Sequence, residues 1–230
     1  MSTATIVYAT DEDIALRASA DYPLLCPRDQ KVAAGGDGVF APSVPWTLTS
    51  ATVDFQARGA APGQVVQLEK AGSGLRPGGE GFVVTATAPG SVTLRRKGQP
   101  AGAGEPPSPA AGLAGVAFSA STLAPQIALA TDDLNRRFGI MAGPSSVRTV
   151  AELADPRELR DAAVLTVLHR QYLDMSREVG ETKDTFAAKA QVVRAELDDL
   201  LARLTLHWNR STLDADLVPP STRFSTRMSR

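Results

Sequence analysis

The chain has 230 residues, with 24 basic and 25 acidic side chains, a formal charge of −1 and 43% hydrophobic residues. That is ordinary globular usage, and the length suffices to bury a core without staples. The balance excludes a strongly basic nucleic-acid-binding domain and an acidic disordered tail.

After a short extended start (Ile6, Val7, Tyr8), Thr10-Asp11-Glu12-Asp13 has the chemistry of a helix N-terminus. A side-chain oxygen there satisfies an orphan backbone N–H, and acids suit the positive end of the dipole. Ile14, Leu16 and Ala18 continue this helix, and Asp21-Tyr22-Pro23 stops it.

From Leu24 to about Lys97 the period shortens. Val53 with Phe55, Val65–Leu68, Phe82–Thr85, and Val92 with Leu94 read as short strands. Pro/Gly turns separate them, and the Pro89-Gly90 pair marks the clearest hairpin. Such spacing predicts a small antiparallel β-barrel or sandwich. Gly35-Gly36-Asp37-Gly38 and Gly78-Gly79-Glu80-Gly81 lack the Gly-Lys-Ser/Thr continuation of a phosphate loop and read as turns. Lys70 and the Arg95-Arg96-Lys97 cluster either blunt exposed strand edges or face an acidic partner. Trp46, after Val44-Pro45, is either a core anchor or a loop platform for a ligand. Residues 98–120, rich in Pro, Gly and Ala, read as a linker.

The remainder is helical. Leu123, Ile127, Ala130, Leu134 and Phe138 recur at helical spacing, with Pro125 in the first turn and Gly139 at the end. A second helix begins at Asp155-Pro156 and is apolar over a wide arc that includes Leu165, Leu168 and Met175. Val164, Val167 and Tyr172 on that arc are candidates for an inter-subunit face. In the third helix Phe186, Ala190, Val193, Leu197, Leu200 and Leu204 step by 4, 3, 4, 3, 4 and form the expected bundle core. The tail then leaves helical periodicity, and Pro219-Pro220 enforce extended backbone. Its Leu217, Val218, Arg223, Phe224, Arg227 and Arg230 are either a docking segment or a plain terminus.

Few residues suggest reaction chemistry. One cysteine, Cys26, excludes an internal disulfide and a cysteine zinc cluster, and reads as a small buried residue. His169 and His207 have no nucleophile beside them in sequence, and His207 suits the C-terminal dipole of the third helix. No HExxH, P-loop, GxSxG or dinucleotide fingerprint occurs. No catalytic residue, metal ligand or cofactor is assigned, and an enzyme is not expected. No run of 18 apolar residues is present, and the N-terminus lacks the basic start of a signal peptide.

The layout has a short helix opening TDEDIALRA, then, far downstream, DLNRRFGI, ELRDAAVLTVLHRQYLDMSRE, DTFAAKAQVVRAELDDLLARLTLHW and a tail. It resembles the head–tail connector (adaptor) proteins of tailed double-stranded DNA bacteriophages. The resemblance implies an antiparallel α-helical bundle with an extended C-terminal tail; the β segment, which the minimal family members lack, departs from it and reads as an inserted small antiparallel β-barrel or sandwich, so the expected fold class is α+β. Its parts would be a bundle helix at 1–27, the β insertion at 28–97, the linker at 98–120, the bundle at 121–209 and the docking tail at 210–230. The implied function is a structural virion protein of the phage neck, assembled in the host cytoplasm. It would form a homo-oligomeric ring, usually a dodecamer, below the portal protein and receive the stopper or tail-terminator protein. Genomic DNA would pass through the lumen without sequence-specific binding, and no membrane is involved. Two other classes remain open: a tail-tube or baseplate protein built on the barrel, and a ligand-binding β module on a helical oligomerisation unit.

Overall fold

A computed structural model describes residues 7–41, 45–70, 75, 79–99, 112–140, 153–177 and 183–208. The chain divides into a barrel unit, residues 10–124, and a helical unit, residues 1–9 with 125–230.

In the barrel unit, helix α1 (Asp11–Arg17) begins with a complete capping box: the Thr10 hydroxyl accepts from the Asp13 amide, and the Asp13 carboxylate accepts from the Thr10 amide. Pro23 does not simply end a helix; it sits in the first turn of a second short one, α2 (Tyr22–Leu25). Six strands follow: β1 (Lys31–Ala41), β2 (Trp46–Thr49), β3 (Val65–Glu69), β4 (Glu80–Ala88), β5 (Ser91–Arg96) and β6 (Leu113–Ser121). They close as β1-β2-β5-β4-β3-β6, every pairing antiparallel.

Alternate residues of each strand turn inward. Phe40, Trp46, Leu48, Val66, Leu68, Phe82, Val84, Val92, Val116 and Phe118 form one continuous core. Trp46 lies edge-on to Phe82 (ring centroids 5.5 Å apart) and to Phe40 (6.1 Å). Phe55 plugs the core from a loop, 5.4 Å from Phe118.

The expected fold class is overturned here. The molecule is not a helical bundle carrying a small β insert; a closed six-stranded antiparallel barrel is a principal part of the architecture. Helix α1 belongs to the barrel unit. Residues 113–120, which composition assigns to the linker, form β6 together with Ser121, and this strand pairs with both β1 and β3 and so closes the cylinder. The Gly35–Gly38 run is no turn but the bulged middle of β1. A Cβ on Gly38 would sit 2.7 Å from the Val116 carbonyl oxygen, and one on Gly35 2.7 Å from the Phe118 ring. The glycines let strand and ring approach, and the Asp37 carboxylate between them accepts from the Ser50 hydroxyl (2.9 Å) and the Ala51 and Thr52 amides. Val53 and Phe55 lie outside any strand.

The helical unit contains α3 (Ala124–Phe138, whose first residue ends the barrel unit), α4 (Arg160–Arg177) and α5 (Lys183–Arg203). Ile127, Ala130 and Leu134 are buried on α3, and Gly139 ends it at φ +66°. Tyr8 runs beside α3, its hydroxyl donating to the Asn135 side chain. Asp155 caps a single 3-10 turn, Pro156–Leu159, that leads into α4. Helices α4 and α5 pack extensively on each other, with Tyr172 stacked on Phe186 at 6.0 Å. Among the described residues no helix is long and apolar enough to cross a membrane.

Candidate interaction surfaces

The basic cluster of the barrel unit is engaged within the unit itself. Arg95, at the end of β5, grips Glu12 of α1 with both terminal nitrogens, one at 2.6 Å, and the Gly98 amide donates to the same carboxylate. Burial works against the charge on Glu12, but Arg95, Gly98 and Lys97 outweigh it and hold the carboxyl below its usual range. Arg96 stacks over the Trp46 ring at 5.5 Å, and Lys97 donates to the Ala15 carbonyl. Lys70 donates to the Ala114 carbonyl on β6. The cluster therefore fastens α1 and seals the barrel, and closure leaves no strand edge to blunt. Trp46, 1% exposed, is a core anchor and not a loop platform.

A second knot ties the start of α1 to the end of β6. Buried Asp11 accepts from the Leu123 amide (2.6 Å) and the Thr122 hydroxyl (2.7 Å), and Tyr22 donates to the Ser121 carbonyl. Burial pushes the Asp11 carboxyl up, against the pull of these donors. Cys26 is buried, and desolvation likewise pushes its thiol up, the opposite of what a nucleophile needs.

In the helical unit the two histidines serve separate local roles. His169 is half-buried on α4, where desolvation and then Arg194 lower its pKa. His207 lies four residues beyond α5, so it does not sit at that helix's dipole; its Nδ1 is 2.6 Å from Glu158 Oε1. The neighbouring Trp208 bridges to Leu153, joining the chain after α5 to the entry of α4. Among the described residues no three His, Cys, Asp or Glu side chains gather as a metal site.

Of the predicted bundle core, Phe186 and Leu197 are buried and Val193, Leu200 and Leu204 half-buried. Ala162 through Leu168 of α4 are buried throughout. The predicted inter-subunit face does not stand open: Val164, Val167 and Tyr172 are 6%, 0% and 5% exposed within the single chain. The wide apolar arc of α4 is thus internal packing. The predicted tail residues, Leu217 to Arg230, lie outside the described residues.

Sequence reading missed a different surface. Along α5, Thr185, Ala188, Val192, Ala195, Asp199 and Ala202 step by 3, 4, 3, 4, 3 and are all exposed. This second stripe runs along the side away from Phe186, Ala190 and Leu197, which are buried. Val192 is 67% exposed and borders a shallow groove of about 540 Å³ lined also by Tyr172, Ala188, Lys189 and Val193. Lys189 Nζ lies 5.4 Å from the Phe186 ring and 5.8 Å from Tyr172. On α3 the outward line is Pro125, Leu129, Asp132 and Arg136, with Leu129 59% exposed. The signal was present in the spacing, masked by the small size of alanine. Comparison with known proteins brings no further assignment: no protein-family model, curated protein or solved structure matches this chain.

Proposed function

We propose that the chain is a structural subunit of a tailed-phage neck, a head-to-tail adaptor that assembles with copies of itself into a ring beneath the portal. Genomic DNA passes through the lumen, the stopper or tail terminator docks below, and the segment from about residue 210 engages the portal. The observation that carries the reading is that α5 buries one side in its own unit and leaves Val192 in solvent on the other, in line with Ala188, Ala195 and Ala202. A monomer gains nothing from the second stripe, whereas a ring subunit needs a lateral face that only a neighbour covers. The ground is no longer a bundle layout, since α1 belongs to the barrel unit.

The competing classes fit less well. A ligand-binding β module needs a cavity, but this barrel is filled by its own aromatic side chains. A tube that grows by strand pairing needs sheet edges, and closure removes them.

Deleting residues 215–230 is the test. The truncated chain should keep its melting temperature and circular dichroism yet lose co-sedimentation with the portal protein of the same virus. Undiminished attachment defeats the docking role, and electron microscopy of the native particle that finds the chain away from the neck defeats the assignment.

A further inference from the structure

We infer that Glu158 is a positioning residue: by holding His207 it fixes the point from which the C-terminal segment leaves the helical unit. The inference rests on the docking role proposed above for that segment, and it names what aims it. Helix α5 ends at Arg203, with one further helical bond from the Leu204 amide to the Leu200 carbonyl. The chain is caught again three residues later. The His207 carbonyl accepts from the Ala154 amide at 2.8 Å, and Trp208 stands opposite Leu153 in an antiparallel bridge. Glu158 closes this clasp with both carboxylate oxygens: Oε2 accepts from the His207 amide at 3.2 Å, and Oε1 lies 2.6 Å from the His207 Nδ1.

The two sides of the clasp are unequally built. Glu158 stands on an ordered platform: Asp155 caps the turn through the Arg157 amide and also binds the Arg157 side chain, and Leu153 and Leu159 on either side are buried. Its side chain is 23% exposed. His207 belongs to no helix and its side chain is 68% exposed, so the bonds to Glu158 and Ala154 are what hold it. Neither Glu158 nor His207 is among the buried residues of the helical core, where Val167, Tyr172, Phe186 and Leu197 sit. Opening the clasp therefore leaves the packing of α4 on α5 intact and moves the anchor point back from Trp208 to Arg203. Five more residues, 204–208, must then be ordered when the segment beyond them docks. Both the added length and the added entropy weaken docking without touching any group that meets the partner.

A graded series of full-length variants tests this. Glu158→Ala, His207→Phe and Glu158→Gln are compared with wild type and with the chain lacking residues 215–230. Each is measured for co-sedimentation with the portal protein, for melting temperature, and for hydrogen exchange at the amides of residues 154 and 207. Glu158→Ala removes both acceptors; it should speed exchange at both amides and weaken attachment several-fold at a nearly unchanged melting temperature. His207→Phe keeps the amide bond to Glu158 and should lose less. Glu158→Gln retains an oxygen for the His207 amide and an NH2 for Nδ1, and should attach as wild type does. Should Glu158→Ala melt early, the other two variants carry the test, and equal attachment by both overturns the positioning role. Fast exchange with undiminished attachment, or slow exchange without Glu158, also overturns it and leaves the docking role. Undiminished attachment of the truncated chain overturns both.

Discussion

The barrel unit and the helical unit of this chain handle their surplus chemistry in opposite ways. In the barrel unit large aromatic side chains point inward and the basic cluster is spent on α1 and the barrel wall. In the helical unit apolar residues stand in solvent on α3 and α5, and the ion pairs beside them are exposed. The barrel unit also leaves Leu16, Leu24 and Val39 exposed, but on α5 Val192 stands in one exposed helical line with Ala188, Ala195 and Ala202.

The contrast predicts a steep gradient of mutational effects. Trp46→Ala removes the largest fully buried side chain and should cost about 3–5 kcal/mol in chemical denaturation. A loss below ~1 kcal/mol would show that the barrel core is not what holds that unit.

Next comes the Arg95–Glu12 clamp, whose side chains are only 20% and 17% exposed. Arg95→Ala leaves a largely buried carboxylate without its cation and should cost about 2–3 kcal/mol at neutral pH. The pH dependence follows from the direction of the shift. Because the folded Glu12 carboxyl is held below its unfolded value, the stabilisation is fully present above the unfolded pKa of about 4.3. It disappears as the pH falls through the lower folded value. Denaturation curves of wild type and Glu12→Gln should therefore converge on acidification below pH 4; a constant gap would place the clamp's contribution elsewhere.

Smaller and more local is the glycine pair inside β1. Gly38→Ala drives a Cβ against backbone and should destabilise by about 1–3 kcal/mol, whereas Gly36→Ala meets nothing within 4 Å and should be near neutral. Equal effects would mean that the close approach to β6 does not decide the bulge. The smallest effect belongs to the helical unit. The exposed Arg194–Asp198 pair, at 2.8 Å, should contribute about 0.3–0.5 kcal/mol in a double-mutant cycle and fade in high salt.

The same contrast explains what the sequence disclosed. Long helices announce themselves: Ile127, Ala130 and Leu134 on α3, and Phe186, Ala190 and Leu197 on α5, are large enough or regular enough to show the inner face. Asp155-Pro156 and Gly139 mark helix limits through local chemistry, which needs no tertiary context. Strands β1 and β6 were hidden by glycine and alanine, which ordinarily signal turns and linkers. Their alternation was there to be read, with Val116, Phe118 and Ala120 inward on β6, but only the approach of Phe118 to Gly35 and Gly38 explains why small residues are required. Missing three of six strands, β1, β2 and β6, turned a closed barrel into a minor insertion and gave α1 to the wrong unit. The exposed stripe of α5 escaped notice for a related reason: alanines at helical spacing look like propensity until their exposure is known.

The most direct measurement is the mass and shape of the full-length chain on the portal ring, compared with its Val192→Glu variant. The account predicts a closed ring for the wild type. For the variant it predicts loss of that ring at an unchanged melting temperature, because Val192 is 67% exposed and lies outside the buried core. A ring that survives Val192→Glu, or a wild-type chain that stays monomeric on the portal, would contradict it.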